Sequence, residues 1–416
     1  MNFRGGSVAL LLIGVVALAA PRMPEAQTLT VLYTFTGEAD GGVPSGGLVR
    51  DEAGNLYGAT TYGGVTNCSL GCGVIFKIDS NGKETVLYQF SGGKGGAHPL
   101  GPMLRGKDGY LYGATSEGGL LACNSGTGCG VVFRLSRAGK VVVLHRFAGG
   151  SDGESPNGSL LRDADGNLYG STTLGGRNGR GTVFKLSPTH KVTILHSFPA
   201  YATDGMYPNG LLRDALGNLY GTTSFSNDST LGKLFKVNPA GKENILFSFG
   251  GTAGEFPFST LIQDTAGNLY GTAQFGGDLT CNAPSSGCGT VFKFSTKRKE
   301  TVLYSFAGVP DGDAPQAPPV RDGSGTLYGV TTYGGTGSCP VQPQSGCGTV
   351  FRLDKGNNET LLHSFTGGAD GWNPFAGLVM DSVGHLYGET SYGGASGCGN
   401  VGCGVVFRIT LQVGQP

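Results

Sequence analysis

The hydrophobic positions of this chain fall in short segments of four to seven residues, separated by polar turns and glycine-rich loops. One phrase, a polar turn followed by Leu-Tyr-Gly, recurs along the whole chain. Its tyrosines are Tyr57, Tyr112, Tyr169, Tyr220, Tyr270, Tyr328 and Tyr387. The steps between them are therefore 50 to 59 residues long. A period of this size predicts a repeat architecture.

Three further apolar segments accompany each Leu-Tyr-Gly. One, such as GTVFKL (181–186), follows the glycine-rich loop, and one, such as TVLYSF (301–306), follows a polar turn. The third, such as GLLRD (210–214), precedes the next Leu-Tyr-Gly. The segments are rich in β-branched and aromatic residues and bounded by turn residues, which is typical of β-strands. In each repeat we name the GLLRD-like strand a, the Leu-Tyr-Gly strand b, the GTVFKL-like strand c and the TVLYSF-like strand d.

Four antiparallel strands repeated seven times predict an all-β fold, a seven-bladed β-propeller. The segment TVLYTF (30–35) is a d strand without preceding a, b and c strands, and the seventh c strand (404–409) has no d strand after it. We therefore expect the N-terminal strand to pair with the C-terminal blade and close the ring. The predicted domain spans residues 28–411 and is followed by a short tail, 412–416. A β-helix is the alternative, but its coils are shorter than this period and need no closure.

Composition excludes some partners. Glycine accounts for 78 of 416 residues, but it recurs at fixed places beside the strand segments, so it marks turns rather than disorder. The 29 basic and 29 acidic residues balance, and no basic run occurs, which argues against nucleic acid as a partner.

The N-terminal residues resemble an export signal. A short charged stretch is followed by an apolar run over 8–20 and then by small residues, so residues 1–26 are a predicted signal peptide cleaved after Ala19 or Ala26. An uncleaved anchor is the alternative, but the run is too short to span a bilayer. We expect an exported, soluble monomer, extracellular or periplasmic, without stable membrane insertion.

The repeated phrases also resemble a known family. Leu-Tyr-Gly and Gly-Thr-Val-Phe-Lys (181–185 and 289–293) at this period are similar to the GloVer tandem repeat of bacterial exported "choice-of-anchor" proteins. The resemblance covers essentially the whole mature chain. It implies a secreted β-structured protein and brings with it no established biochemical activity.

The ten cysteines form five local pairs, each in the loop between strands b and c. The pairs are Cys68/Cys72, Cys123/Cys129, Cys281/Cys288, Cys339/Cys347 and Cys398/Cys403. Repeats three and four lack both members, and this both-or-neither pattern predicts disulfides in an exported protein. Because two repeats manage without a bridge, we expect the bridges to shape the loops more than they hold the ring. Zinc is the competing interpretation, but two cysteines without a nearby histidine do not complete a tetrahedral site. We expect no metal and no cofactor.

Histidine and aspartate recur in structural rather than catalytic contexts. His145, His196 and His363 occupy a place in strand d where other repeats have Tyr or Phe, which predicts packing. No histidine adjoins a serine or cysteine in a nucleophile phrase such as Gly-x-Ser-x-Gly. The Asp that begins the a–b phrase resembles the turn-forming Asp of sialidase-type Asp boxes, so we expect it to accept turn N–H groups. These residues are Asp51, Asp163, Asp214, Asp264, Asp322 and Asp381.

Strand direction alternates, so the b–c and d–a loops must share one face of the ring, which we call the loop face. Loops on a rigid scaffold commonly carry binding residues. Five repeats place an aromatic at the end of strand b: Tyr62, Phe225, Phe275, Tyr333 and Tyr392. Five d–a loops carry an Asp before Gly: Asp40, Asp152, Asp204, Asp311 and Asp370. Aromatic platforms beside carboxylates suit sugars, although the aromatics could instead pack on the disulfides and Asp-Gly could simply form turns.

Three classes of function stay open from the sequence. The favoured one is a secreted, non-enzymatic binding or scaffold propeller for a glycan or another extracellular protein. The alternative is an extracellular glycan-cleaving enzyme, a hydrolase or lyase, which would need two or three carboxylates converging in one pocket on the loop face. A quinone- or copper-dependent oxidoreductase is disfavoured by the single tryptophan, Trp372. Tyr62, Tyr333 and Tyr392 belong to repeats one, six and seven, so closure should bring them onto one shared surface.

Overall fold

The computed structural model describes residues 27–199, 204–226, 231–281, 286–341, 345–394 and 397–411. The predicted signal peptide and the predicted tail lie outside these residues. Within them the chain forms a seven-bladed β-propeller of four-stranded antiparallel sheets, as predicted. Its only helices in the described ranges are short 3-10 turns: Gly93–Gly95, Asn124–Gly126, Gly150–Asp152, Gly251–Ala253 and Cys398–Asn400. None of the described helices could cross a membrane.

The strands are numbered along the chain, beginning with β1 (Thr28–Thr34), which belongs to the last blade. Blade 1 contains β2 (Gly42–Pro44), β3 (Val49–Arg50), β4 (Leu56–Tyr62), β5 (Val74–Ile78) and β6 (Glu84–Gln89). Blade 2 contains β7 (Ala97–Arg105), β8 (Leu111–Glu117), β9 (Val131–Leu135) and β10 (Val141–Arg146). Blade 3 contains β11 (Glu154–Arg162), β12 (Leu168–Leu174), β13 (Thr182–Leu186) and β14 (Val192–Ser197). Blade 4 contains β15 (Met206–Arg213), β16 (Leu219–Phe225), β17 (Lys233–Val237) and β18 (Glu243–Ser248).

Three further blades complete the ring. Blade 5 contains β19 (Ile262–Gln263), β20 (Leu269–Ala273), β21 (Thr290–Phe294) and β22 (Glu300–Ser305). Blade 6 contains β23 (Gly312–Asp313), β24 (Val320–Arg321), β25 (Leu327–Thr331), β26 (Tyr333–Gly334), β27 (Thr349–Leu353) and β28 (Glu359–Ser364). Blade 7 contains β29 (Val379–Met380), β30 (Leu386–Thr390) and β31 (Val405–Thr410). Its fourth strand is β1, which pairs antiparallel with β31 from Thr28 opposite Thr410 to Thr34 opposite Val405.

Each outer strand d carries a β-bulge at a leucine. In blade 1, for example, Tyr88 pairs with Ile75 and Val86 with Phe76, so the intervening Leu87 has no partner in the ladder. The same shift occurs in all seven c–d pairs. A bulge bends a strand and increases its twist, which suits the strand at the rim of a blade.

Phenylalanine pairs join neighbouring blades around the whole ring. The phenylalanine after each strand d meets the c-strand phenylalanine of the next blade, with ring centroids 4.9–5.3 Å apart. The pair Phe35–Phe76, at 5.0 Å, joins blade 7 to blade 1. Both side chains are fully buried. Such contacts add specific aromatic attraction to the burial of apolar area.

The structure explains both the tyrosine and the glycine of the Leu-Tyr-Gly phrase. A Cβ atom at Gly58 would lie 2.5 Å from Cζ of Phe76, so glycine is needed to admit the ring. The Tyr57 hydroxyl donates to Asp51 (3.0 Å), which also accepts the Asn55 N–H (2.8 Å). Burial by itself raises the pKa of Asp51, but these hydrogen bonds outweigh it and hold the pKa below its usual range. The predicted turn-forming role of this Asp is confirmed.

The predicted cysteine pairing is confirmed as well. All five local pairs are disulfides, closing loops between residues four to eight positions apart, and each lies between strands b and c of its own blade, on the loop face. Blades 3 and 4 have no cysteine. The bridges are Cys68–Cys72, Cys123–Cys129, Cys281–Cys288, Cys339–Cys347 and Cys398–Cys403.

The bridges also reach into the core, while their predicted main role in shaping the loops stays a prediction. The second cysteine of each bridge is fully buried, as Cys288 and Cys347 illustrate. Cys288 belongs to an apolar cluster that includes Phe351 of the next blade, and Cys347 to one that includes Trp372 and Phe407 of the next blade. Buried sulfur packs as an apolar group in these clusters. Cys288 and Cys347 therefore contribute to the core between blades and offer no surface to a ligand.

Candidate functional site

One residue in each blade has an unusual backbone conformation. In every blade the residue before the proline that opens strand a has a positive φ, between +51° and +60°: Val43, His98, Ser155, Tyr207, Phe256, Ala314 and Asn373. A non-glycine residue in this conformation costs about 1–3 kcal/mol and persists only where its surroundings enforce it. The Val43 N–H donates to the Cys403 carbonyl of the preceding blade (2.9 Å), and the His98 N–H donates likewise to Cys72 (3.0 Å).

The sequence interpretation missed these seven positions, although a signal was present. The proline is the same in all seven repeats, yet the residue before it differs in every one. A constant backbone framework that presents a different side chain from each blade is suited to recognition.

A cavity of about 540 Å³ opens between blades 7 and 1 on the loop face. Tyr62 of blade 1 and Tyr392 of blade 7 both line it, together with apolar side chains, glycines and two disulfide-bonded cysteines. The expected meeting of these two tyrosines across the junction is therefore observed. The remaining lining residues are Gly37, Val43, Gly63, Gly64, Thr66, Cys68, Leu70, Gly71, Cys398 and Val401.

Both tyrosines are held in place by aromatic neighbours. Tyr392 stacks on Trp372 with ring centroids 4.7 Å apart and planes 28° apart, and the Trp372 indole N–H donates to the Val401 carbonyl (3.2 Å). Tyr62 meets the His98 ring edge-on at 5.3 Å. Burial raises the pKa of Tyr392, and the nearby phenols of Tyr62 and Tyr333 raise it further, so Tyr333 belongs to the same group. We call Tyr62, Tyr333, Tyr392 and Trp372 the tyrosine cluster.

The other two predicted aromatics form a separate group on blades 4 and 5. Phe225 meets Phe256 at 4.9 Å and Tyr207 at 5.8 Å, and Phe275 meets Phe256 at 5.8 Å. Phe225 keeps 40% of its surface exposed. Two of these rings, Tyr207 and Phe256, belong to the seven pre-proline residues. The five predicted aromatics thus divide between two patches on the loop face.

Four of the five predicted aspartates accept hydrogen bonds from strand d and from the loop that follows it in their own blade. Asp40 accepts the Tyr33 hydroxyl (3.0 Å) and the Thr36 N–H (2.9 Å), and Asp311 accepts the Tyr304 hydroxyl (3.0 Å) and the Ala307 N–H (2.9 Å). Asp152 and Asp370 face His145 and His363 in the same way. Although burial opposes it, these hydrogen bonds lower the pKa of Asp152 and Asp370. Asp204 has different neighbours, described below. A role of the five aspartates in binding stays a prediction.

A second cavity, about 440 Å³, is lined by residues in or next to strand a of all seven blades. Beside it lies Glu389, a residue that the sequence interpretation did not select. Its side chain is 1% exposed, its Oε1 accepts the Gly47 N–H (2.6 Å) and its Oε2 has no hydrogen-bond partner among the described residues. At the same place Ser171, Thr222 and Thr272 instead donate to strand a carbonyls. Burial raises the pKa of Glu389 to about 7.

Comparison with known proteins supports the repeat and the fold. The model of a family described as the Gloeobacter/Verrucomicrobia repeat matches residues 19–128, 66–283 and 278–415. The extracellular domain assigned to a one-component system of B. thetaiotaomicron superposes with a TM-score of 0.54 at 10% identity, covering 88% of this chain and 38% of that one. At such identity the likeness concerns the fold alone.

Two enzymes superpose less closely. A gluconolactonase from Xanthomonas campestris has a TM-score of 0.45 at 15% identity, covering 72% of this chain and 85% of its own. A luciferin-regenerating enzyme has a TM-score of 0.45 at 15% identity, covering 93% and 96%. Among curated protein sequences none matches the chain.

Proposed function

The chain belongs to the Gloeobacter/Verrucomicrobia repeat family, and from this premise we propose that it is an exported propeller that binds a glycan in the cavity between blades 7 and 1. Export is supported by the signal-like N-terminus and by five disulfides, which persist in oxidising compartments.

One observation carries the proposal: Tyr62 and Tyr392, from blades that are distant in sequence, line one cavity of about 540 Å³. Small-molecule sites commonly occupy about 300–1,000 Å³ and combine apolar walls with a few polar groups. The rings offer faces for sugar C–H groups, while Thr66 and the tyrosine hydroxyls can exchange hydrogen bonds with sugar hydroxyls. The edge of His98 and the face of Trp372 orient the two rings before a ligand arrives.

Binding is favoured over glycan cleavage by the chemistry of the lining. Glycoside hydrolysis ordinarily needs a pair of carboxyl groups beside the scissile bond. The described residues that line the cavity include neither a carboxylate nor a histidine. The nearby Asp40 accepts hydrogen bonds from its own loop. The cavity therefore suits recognition, and the alternative, a glycan-cleaving enzyme, lacks a paired acid there.

Replacing both Tyr62 and Tyr392 by Ala is expected to weaken glycan binding by about 10- to 100-fold, since aromatic anchors at the centre of a site carry much of the binding energy. A glycan array with the mature protein would select the ligand, and calorimetry would measure its Kd for wild type and variant. Phe225→Ala is the matched control, because it removes an exposed aromatic from the other patch on the same face and should leave the Kd unchanged.

Equal affinity of the double variant and wild type would place the site elsewhere. If the chain binds no glycan but binds an extracellular protein through the tyrosine cluster, the alternative of a protein ligand is favoured. Unchanged melting temperatures of the variants would show that the loss is local to the cavity.

A further inference from the structure

A group of three metal-ligating side chains lies at the junction of blades 3 and 4, away from the cavity described above. His196 is in β14, Asp204 is in the loop that follows, and Glu243 begins β18 of the next blade. One ligand atom from each lies within 4.8 Å of the other two. Nε2 of His196 and Oε2 of Glu243 are 3.7 Å apart.

These side chains are buried without sufficient partners. Only 8% of the Glu243 side chain and 16% of the His196 side chain are exposed. In the described part of the chain, Oε1 of Glu243 and Nε2 of His196 have no hydrogen-bond partner. Glu243 shares a hydrogen bond with Asp204, which leaves Oε1 of Glu243 and Nε2 of His196 as the unpaired atoms of the group. An unpaired Oε1 also occurs at Glu84, Glu300 and Glu359, which begin strand d in blades 1, 5 and 6, so the unpaired His196 Nε2 beside it is what distinguishes this group. Unpaired buried polar atoms are costly, and this pair of atoms is therefore suited to a shared ligand.

The other repeats show that the combination is particular to this junction. His145 and His363 each lie close to an aspartate, at 3.1 and 3.0 Å, but the next blade has Val192 or Leu29 where blade 4 has Glu243. At two further junctions Tyr33 and Tyr304 take the place of the histidine, and each donates to its aspartate at 3.0 Å. Only the junction of blades 3 and 4 combines His, Asp and Glu.

We propose that His196, Asp204 and Glu243 form a binding site for a divalent transition-metal ion of the Zn²⁺ class. Zinc binds histidine nitrogen and carboxylate oxygen at about 2.0–2.2 Å, so two ligand atoms 3.7 Å apart can reach one ion with little movement. An imidazole favours zinc and its neighbours in the first transition series over Ca²⁺ or Mg²⁺, which prefer oxygen ligands alone. Solvent completes the coordination, and any carboxyl proton present is released on binding.

The position of the site suggests what the ion does. Blades 3 and 4 are the two blades without a disulfide. In blade 2, by contrast, the disulfide packs against the d–a loop, since a Cβ at Gly149 would lie 2.9 Å from Sγ of Cys123. An ion at the proposed site would join strand d and the d–a loop of blade 3 to strand d of blade 4, and so anchor a loop that lacks this support.

The test is calorimetric titration of ZnCl₂ into the full mature chain after treatment with a chelator. We expect the wild type to bind about one ion per chain and to gain melting temperature, because an ion that binds only the native state stabilises it. His196→Phe and Glu243→Gln should each weaken binding at least about ten-fold, as expected when one ligand of a metal site is lost. The His196→Phe chain is expected to fold, because Phe247 occupies the same place in blade 4.

His363→Phe is the matched control, because it removes an equivalent histidine that has an aspartate but no glutamate beside it, and it should bind zinc as the wild type does. The proposal is overturned if the wild type binds no zinc. It is equally overturned if both site variants bind zinc with unchanged affinity, or if His363→Phe loses binding to the same degree as His196→Phe.

Discussion

Deletion of residues 28–36 is expected to lower the melting temperature by about 10 °C or more. The deletion removes β1, the fourth strand of blade 7, and exposes the edge of β31 that it covers. It also removes Phe35, which is fully buried and packs on Phe76 of blade 1. Loss of one buried phenylalanine alone costs about 3–5 kcal/mol. Because the same strand completes the sheet and joins the two blades, both contributions disappear together.

A permuted chain is the control for this deletion. In it, residues 28–36 follow Leu411 through a short turn like those that join strands c and d in the other blades. The strand can then pair with β31 as before, so the melting temperature is expected to return to that of the wild type in thermal unfolding followed by circular dichroism. An unchanged melting temperature after the deletion would contradict the closed ring. Failure of the permuted chain to recover would show that the position of residues 28–36 in the chain matters, not only their pairing.

Replacement of Glu389 by Gln is expected to raise the free energy of unfolding by roughly 3 kcal/mol at pH 8. The carboxyl is buried, and its pKa is about 7 in the folded protein against a usual value of 4.5. Between these values the folded chain holds more protons than the unfolded chain, so the stability that Glu389 contributes is complete below pH 4.5 and is lost as the pH rises through 7. Glutamine keeps an oxygen for the Gly47 N–H and never ionises.

Denaturant unfolding at pH 4 and pH 8 measures this effect. The difference between Glu389→Gln and wild type should be large at pH 8 and nearly absent at pH 4. Glu52→Gln is the control, because Glu52 is exposed on the a–b turn of blade 1 and its replacement should change stability little at either pH. A variant that is less stable than the wild type at pH 8 would mean that the ionised carboxylate has a favourable partner in the native protein.

Much of the fold could be predicted because each blade repeats the same short sequence patterns. Leu-Tyr-Gly and the c-strand phenylalanine recur together, and the structure shows why: the glycine makes room for the ring. The bulge at each d-strand leucine could not be predicted, because an extra residue in a strand leaves the pattern of apolar residues nearly unchanged. The left-handed backbone conformation of the residue before each proline was also missed, since each of these residues is held by an N–H donated to a carbonyl of the preceding blade.

The sequence predicted a feature of the candidate sites only where the order of the blades was enough to bring the residues together. The meeting of Tyr62 and Tyr392 followed from closure of the ring, and the structure places both in one cavity. The direction of the Asp40 side chain did not follow, because an Asp-Gly turn can present its carboxylate outward or fold it back on the loop. Nor did the approach of His196 to Glu243 follow, since a repeat pattern gives no distance between side chains of neighbouring blades.

The sequence by itself therefore determined the number of blades, the order of strands, the cysteine pairs and the face that carries the long loops. All of these depend on residues close together in the chain or on the period of the repeat. Tertiary structure alone decided the surroundings of individual side chains at the blade junctions, where Glu389 meets Gly47, His196 meets Glu243, and Cys288 and Cys347 are buried. The physical reason is that burial, hydrogen bonding and charge at a junction depend on two blades at once. Corresponding positions of similar repeats therefore have different surroundings, depending on the neighbouring blade.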